Sequence, residues 1–231
     1  MPVYNEAATI RAVLEDWLDR LEGMGIDFEL HIYDDGSTDR SLEIMHQTAS
    51  RHPRLIVHQK PNSGHGPTIL QAYRASSAVW IFQTDSDGEI PSGPFTDFWA
   101  KREQYDFLVG RRRRRNDALP RRMLTVGAGW LVKMLFGRRA VHDVNIPFRL
   151  MRTAAFGECF RLIPEDAFAP NVLVSGYAAW RGLRTLEMGV PYRPRIATVT
   201  PSLRGWRIAT VALRTAWQTL GFRLQLARLQ S

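Results

Sequence analysis

A mostly parallel β-sheet wrapped by helices is the fold class predicted by this 231-residue sequence, and three observations point to it. The first half alternates short apolar runs with amphipathic helical stretches, the β-α-β-α order that parallel strands need for their crossovers. The apolar runs end in clusters of Asp, Asn, Gly and Ser, which suit loops at strand ends. Hydrophobic residues make up 45% of the chain, enough to cover both faces of such a sheet.

The elements follow in order. Residues 6–23 read as a helix because Ile10, Val13, Leu14, Trp17, Leu18 and Leu21 recur at helical spacing. Phe28–Tyr33 is a strand ending in Asp34-Asp35-Gly36-Ser37, and Thr38–Ser50 is the next helix. Leu55–Gln59 is a strand, Lys60–Gly66 a glycine-containing loop, and Pro67–Ser77 a helix. Val79–Gln83 is a buried strand running into Asp85-Ser86-Asp87-Gly88. A helix over 94–103 and a strand at Phe107–Val109 complete the regular half. Beyond it, 118–136 reads as an apolar helix, His142–Arg149 as a loop or strand, Glu165–Ala179 as a helix and Leu183–Val190 as a strand. Residues 1–200 form one unit, to which 201–231 append a basic amphipathic helix. A strand is expected ahead of Pro2, and little of it precedes that residue.

In such sheets ligands bind beyond the carboxyl ends of the strands. Pro2–Glu6, Asp34–Ser37, Asn62–Gly66 and Asp85–Glu89 all fall there, so the polar loops are expected to meet on one edge. Asp85 and Asp87, two apart on a turn, can aim at one centre, and hard oxygen ligands suit Mg²⁺ or Mn²⁺ carrying a substrate phosphate. Asp35 is placed to accept a hydrogen bond from a nucleobase or ribose, while Ser37, Thr38 and Asp39 start the following helix. Gly64 lets backbone approach a ligand closely, or simply turns the chain; His65 reads as a loop residue.

Net charge is +8, and the positive charge is almost all Arg, with five in a row at Arg111–Arg115. Arg binds phosphate bidentately and keeps its charge, so an acidic partner is expected; biased codon usage enriches Arg too. The basic residues are not interleaved with a recognition motif for nucleic acid. Cys159 is alone, which excludes an internal disulfide framework and fits a reducing, cytoplasmic setting. No window reaches 18 apolar residues, so no ordinary membrane span is expected.

These motifs, in this order, resemble family 2 glycosyltransferases of the GT-A fold over roughly residues 1–200. The branch most similar is that of dolichyl-phosphate mannosyltransferase and bacterial polyprenyl-phosphate glycosyltransferases. The family's P-x-Y-N-E opening stands as Pro2-Val3-Tyr4-Asn5-Glu6, its D-D-G/N-S element as Asp34–Ser37, its glycine loop as Asn62–Gly66 and its D-x-D motif as Asp85–Asp87. A G-x-R-x-x-R-x-D pattern falls on Gly110, Arg112, Arg115 and Asp117, and a late D-x-x-x-x-F-R element on Asp143, Phe148 and Arg149. Pro147 replaces the family's Gly before that Phe-Arg, and the Q-x-x-R-W motif of processive synthases is absent.

The resemblance implies that Pro2, Tyr4, Glu6 and Asp35 hold base and ribose, and that Asp85 and Asp87 face metal and diphosphate, Asp87 coordinating directly. It implies that Arg112 and Arg115 face the donor diphosphate or the acceptor phosphate, with Arg195 a looser match. The resemblance implies a nucleotide-sugar donor and leaves open whether its base is uracil or guanine. An acceptor phosphate is already anionic and needs no strong base; for a hydroxyl acceptor, Asp143 is the candidate base or an additional acceptor-site carboxylate. Trp130, Leu131, Met134, Leu135 and Phe136, and the tail's Trp206, Leu213, Trp217, Leu220 and Leu224 opposite Arg207, Arg214, Gln218 and Gln225, suit either an interfacial helix or core packing. The expected setting is peripheral, at the inner face of the cytoplasmic membrane, with a polyprenyl-phosphate or other lipid-linked acceptor and no nucleic acid. The competing readings are a soluble transferase acting on a sugar hydroxyl and a nucleotide-binding scaffold without turnover.

Overall fold

The computed structural model describes residues 1–112, 119–137, 139–193 and 205–229, with backbone alone for 119–126 and 205–209. Three parallel strands come first: β1 (Pro2–Val3), β2 (Leu30–Asp34) and β3 (Leu55–Gln59), side by side in that order with Pro2 opposite Tyr33 and Leu30 opposite Leu55. Helices α1 (Ile10–Gly23) and α2 (Ser41–Ala49) make the crossovers, and α3 (His65–Ala75) leads to the second sheet. That sheet has the order β4-β6-β5-β7, from β4 (Trp80–Thr84), β5 (Phe107–Arg112), β6 (Phe148–Arg152) and β7 (Thr185–Val190). Here β5 and β7 are parallel, whereas β6 runs antiparallel to β4 and β5. The α/β class holds, with the sheets parallel-rich and mixed. The remaining helices are α4 (Phe95–Lys101, continued by a 3₁₀ turn at Arg102–Gln104), α5 (Leu119–Phe136), α6 (Thr153–Leu162), α7 (Pro170–Trp180) and α8 (Gly205–Arg228).

Local chemistry explains where boundaries move. α1 begins at Ile10, four residues later than its apolar spacing predicts, because the first turn is spent on loop contacts. The Glu6 carbonyl accepts the N–H groups of Thr9 and Ile10, while the Glu6 and Ala7 N–H groups donate to Ser41 Oγ and Asp39 Oδ2. β6 begins at Phe148, inside the stretch His142–Arg149 expected as loop or strand, and carries Arg149 as its second residue. Its guanidinium is fully buried and donates only to the carbonyls of Val144, Ile146 and Asn171.

The aromatic core joins layers. Trp17 of α1 lies 5.1 Å from the Phe82 ring of β4 and 5.8 Å from Phe95 of α4, and Phe148 of β6 packs edge-on against Phe82 at 4.8 Å. Each such pair adds about 0.5–1.5 kcal/mol beyond area burial. Between β2 and β4 runs a cavity of about 490 Å³, lined by His31, Tyr33, Trp17, Tyr73, Ile81 and Phe82 among others. At its end the Met1 amino group donates to the His31 carbonyl at 2.9 Å, and burial pushes its pKa down to about 5.

The tail helix packs on the core along one face and leaves another exposed. α8 packs on α5 and α7, with Phe222 and Leu226 buried and Phe222 6.4 Å from Phe136. On its other side Leu213, Trp217, Leu220 and Leu224 are exposed, as are Trp130 and Met134 of α5. Among the described residues no helix is long and apolar enough to cross a membrane.

Candidate active site

The four polar loops do meet. Asp35, at the end of β2, accepts from the N–H groups of Ser63 and Gly64 at 2.9 Å each, which ties the second loop to the third. His65, the next residue, brings Nε2 within 3.6 Å of Asp85 Oδ1, which ties the third to the fourth. The first loop joins through Asn5, whose left-handed backbone (φ 54°) turns its side chain so that Oδ1 accepts the Thr38 N–H at 2.8 Å, while its own N–H donates to Ser37 Oγ.

Asp35 itself is only 3% exposed. Besides the two amides it pairs with Lys60, whose Nζ also donates to Ser63 Oγ and Thr68 Oγ1. Burial alone would raise the Asp35 pKa, but the hydrogen bonds from Lys60, Ser63 and Thr68 and the Lys60 charge outweigh it and hold the carboxyl below its ordinary value. The carboxylate expected to bind a base therefore has its oxygens filled by the chain. Lys60 was not singled out in the sequence, although a lysine at a strand end in so Arg-rich a chain was a usable signal.

Asp85 and Asp87 are less engaged. Gln83 Nε2 donates to Asp85 Oδ1 at 3.0 Å, and Asp87 Oδ1 accepts the Glu89 N–H at 3.0 Å. Burial pushes the Asp85 carboxyl up; the nearby His65 works against that shift and Asp87 adds to it. Gln83 is held in turn by Asn171 Nδ2 at 3.1 Å, and Asn171 Oδ1 accepts the Tyr73 hydroxyl at 2.9 Å. A buried polar chain thus orients Asp85 from the core. Gln83 closes the apolar run that predicts its strand; Asn171 gives no sequence signal.

Of the remaining candidates, Pro2 is buried in β1, Tyr4 is half exposed, and Glu6 accepts the Thr9 hydroxyl at 3.1 Å. Gly64 takes φ 95°, a conformation that favours glycine, at the residue before α3. Arg112 Nη1 pairs with Asp143 Oδ2 at 2.9 Å, and both side chains are about nine-tenths buried. Arg112 Nε and Asp143 Oδ1 are buried without a hydrogen-bond partner among the described residues. Arg115, Asp117 and Arg195 lie outside the described residues.

The donor set fits a divalent cation in part. Among the described residues no three His, Cys, Asp or Glu side chains gather round one point. Two carboxylates at a strand end, one carrying raised proton affinity from burial, suit an ion that takes its other ligands from a diphosphate and water.

Comparison with known proteins gives a consistent result. A family model described as glycosyl transferase family 2 matches residues 1–160. Undecaprenyl-phosphate 4-deoxy-4-formamido-L-arabinose transferases are similar: that of Edwardsiella ictaluri (strain 93-146) is 25% identical over 84% of this chain and 59% of its own length. That of Shewanella sediminis (strain HAW-EB3) is 28% identical, over 84% and 58%. The chain therefore spans about three-fifths of the curated relatives it matches. Among solved structures, Mycobacterium tuberculosis glucosyl-3-phosphoglycerate synthase with Mn²⁺, UDP and phosphoglyceric acid superposes with a TM-score of 0.66 at 15% identity, covering 96% of this chain and 76% of that one. S. aureus TarS 1-349 with UDP gives 0.58 at 21%, covering 84% and 59%.

Proposed function

The chain belongs to glycosyl transferase family 2, and from that premise we propose that it moves a sugar, with inversion, from a nucleotide-diphosphate sugar to a polyprenyl phosphate at a membrane surface. One observation carries the reading: Asp85 and Asp87 stand lightly engaged where four polar loops converge, beside a buried Arg112–Asp143 pair with unfilled hydrogen-bonding capacity. The names of the curated relatives support the acceptor, and the Mn²⁺ and UDP named with glucosyl-3-phosphoglycerate synthase support the donor and the metal.

The geometry and the motif resemblance support a set of roles. Asp85, aimed by Gln83, and Asp87 would hold Mg²⁺ or Mn²⁺. A cation held there would supply charge neutralisation for the departing diphosphate. Asp35 shapes the glycine loop through Ser63 and Gly64, and Tyr4 and Glu6 flank the place for base and ribose. An acceptor phosphate oxygen attacks the anomeric carbon from the face opposite the diphosphate, whose oxygen leaves with the bonding electrons. No proton need be removed, so Asp143 can stay paired, fixing the Arg112 charge near Asp85. Arg115 is assigned to the same phosphates by its place in the motif.

The exposed apolar faces of α5 and α8 supply the membrane contact, with Trp217 77% and Trp130 68% exposed. On this reading residues 1–200 form the transferase unit and the following helix its peripheral anchor, at the cytoplasmic face. The test is transfer from labelled nucleotide sugars to polyprenyl phosphate in vesicles with Mn²⁺ present or chelated. Metal-dependent, acid-labile lipid product is expected. Transfer only to soluble hydroxyl acceptors would overturn the acceptor assignment, and nucleotide binding without turnover would favour a scaffold. Trp217→Glu is expected to release the chain from vesicles while leaving its melting temperature unchanged.

A further inference from the structure

A second cavity, of about 410 Å³, opens beside the acidic strand end. His65 and Asn171 line it, and both lead to Asp85: His65 directly at 3.6 Å, and Asn171 through Gln83. Asn145, Phe168, Asp166 and Arg214 also line it. Its wall is fixed, because a Cβ on Gly66 would fall 2.2 Å from the Ala167 carbonyl oxygen, leaving only glycine able to bring α3 against that loop. Polar side chains beside an exposed aromatic ring, next to the diphosphate site, suit a sugar ring.

α8 reaches this cavity with one charged group. Arg214 Nη2 donates to the Asp166 carbonyl and to Asp166 Oδ2, 3.1 Å each, and Gln218 of the same helix donates to the Asp166 carbonyl. Arg214 Nε and Nη1, and Asp166 Oδ1, make no hydrogen bond among the described residues, and both side chains are more than half exposed. Donors and an acceptor are thus presented side by side with their charges offset.

We propose that Arg214 and Asp166 are specificity residues that read a neutral hydroxyl or amide substituent on the transferred sugar, seated in the cavity between α3, α7 and α8. This rests on the donor reading above. The paired carboxylate disfavours an anionic sugar, and the unused donors and acceptor match a group that both accepts and donates.

The test is calorimetric titration of the full chain with Mn²⁺ and either UDP or GDP, then with the same nucleotide carrying a hexose, an N-acetylhexosamine, a pentose or a uronic acid. In Arg214→Ala and Asp166→Ala the spread of affinities among the neutral sugars is expected to shrink by about tenfold, with affinity for the bare diphosphate unchanged. Arg214→Lys, which keeps charge but loses the planar fork, should fall between. An unchanged spread in folded variants, equal loss for the bare diphosphate, or a parent preference for the uronic acid would each overturn the assignment. A parent chain that binds no nucleotide diphosphate would sink the donor reading itself, and this inference with it.

Discussion

Two acidic strand ends meet at one cluster of loops and are engaged very differently. At the end of β2, Asp35 is filled by Lys60 and two backbone amides, and Asp34 receives the Ser37 N–H. At the end of β4, Asp85 has one amide donor from Gln83 and a distant His65, and Asp87 one backbone amide. Both pairs follow apolar strands and both precede a turn glycine. The difference lies in the neighbours: a lysine and a glycine loop fold onto the first, whereas the second is met mainly by neutral polar groups. Carboxylates that share a sequence context are thus divided into one tied up by the chain and one left more open.

The contrast can be broken most visibly at Asp87. Asp87→Ala is expected to cut metal-dependent transfer by about a thousandfold or more, the scale of losing one electrostatic stabiliser, while its melting curve stays in place. Full activity in that variant would remove the metal role. Asp35→Asn should do the reverse and destabilise the fold by about 3 kcal/mol, because it strands a mostly buried ammonium. Denaturant melts measure this, and an unchanged midpoint with lost nucleotide affinity would return Asp35 to the ligand. Adding Lys60→Met to Asp35→Asn should recover part of the loss, a coupling visible in a double-mutant cycle.

The smallest effect is one of sign. Asp35 has a lowered pKa in the fold, so the stability it contributes is present above its unfolded pKa and is lost as pH falls through the folded value. Asp85 has a raised pKa, so its contribution is present below the unfolded value and is lost as pH rises through the folded one. With metal chelated, Asp85→Asn should therefore melt higher than the parent at pH 7, and that gain should fade on acidification. A lower melting point at pH 7 would show that Asp85 too is structural.

Much of this was legible beforehand because it depended on patterns. The crossover strands and helices announce themselves by apolar spacing, and Leu55–Gln59 falls where it was expected. The convergence of Asp35, Gly64 and Asp85 follows from strand-end placement. What escaped depended on partners distant in sequence. β6 carries a buried Arg149 whose partners are carbonyls from its own loop and from α7, and α6 after it drew no helix reading. The filling of Asp35 by Lys60 and the relay from Asn171 to Asp85 need atomic positions that no spacing rule gives. The arginine run, of which Arg112 pairs with Asp143, reads as a group in the sequence although its members differ in burial: Arg111 is exposed, whereas the Arg112 side chain is about nine-tenths buried.

The division of the sheet into two ladders has a mechanical consequence. Among the described residues no ladder joins the two sheets, which are held together by side-chain packing, with Asp34 and Asp35 at the end of one and Asp85 and Asp87 at the end of the other. A molecule touching both carboxylate ends is a brace across that seam. Amide hydrogens along the outer edge of β4 should exchange well before those of β5 in the ligand-free chain, and the two sets should converge once the brace is bound.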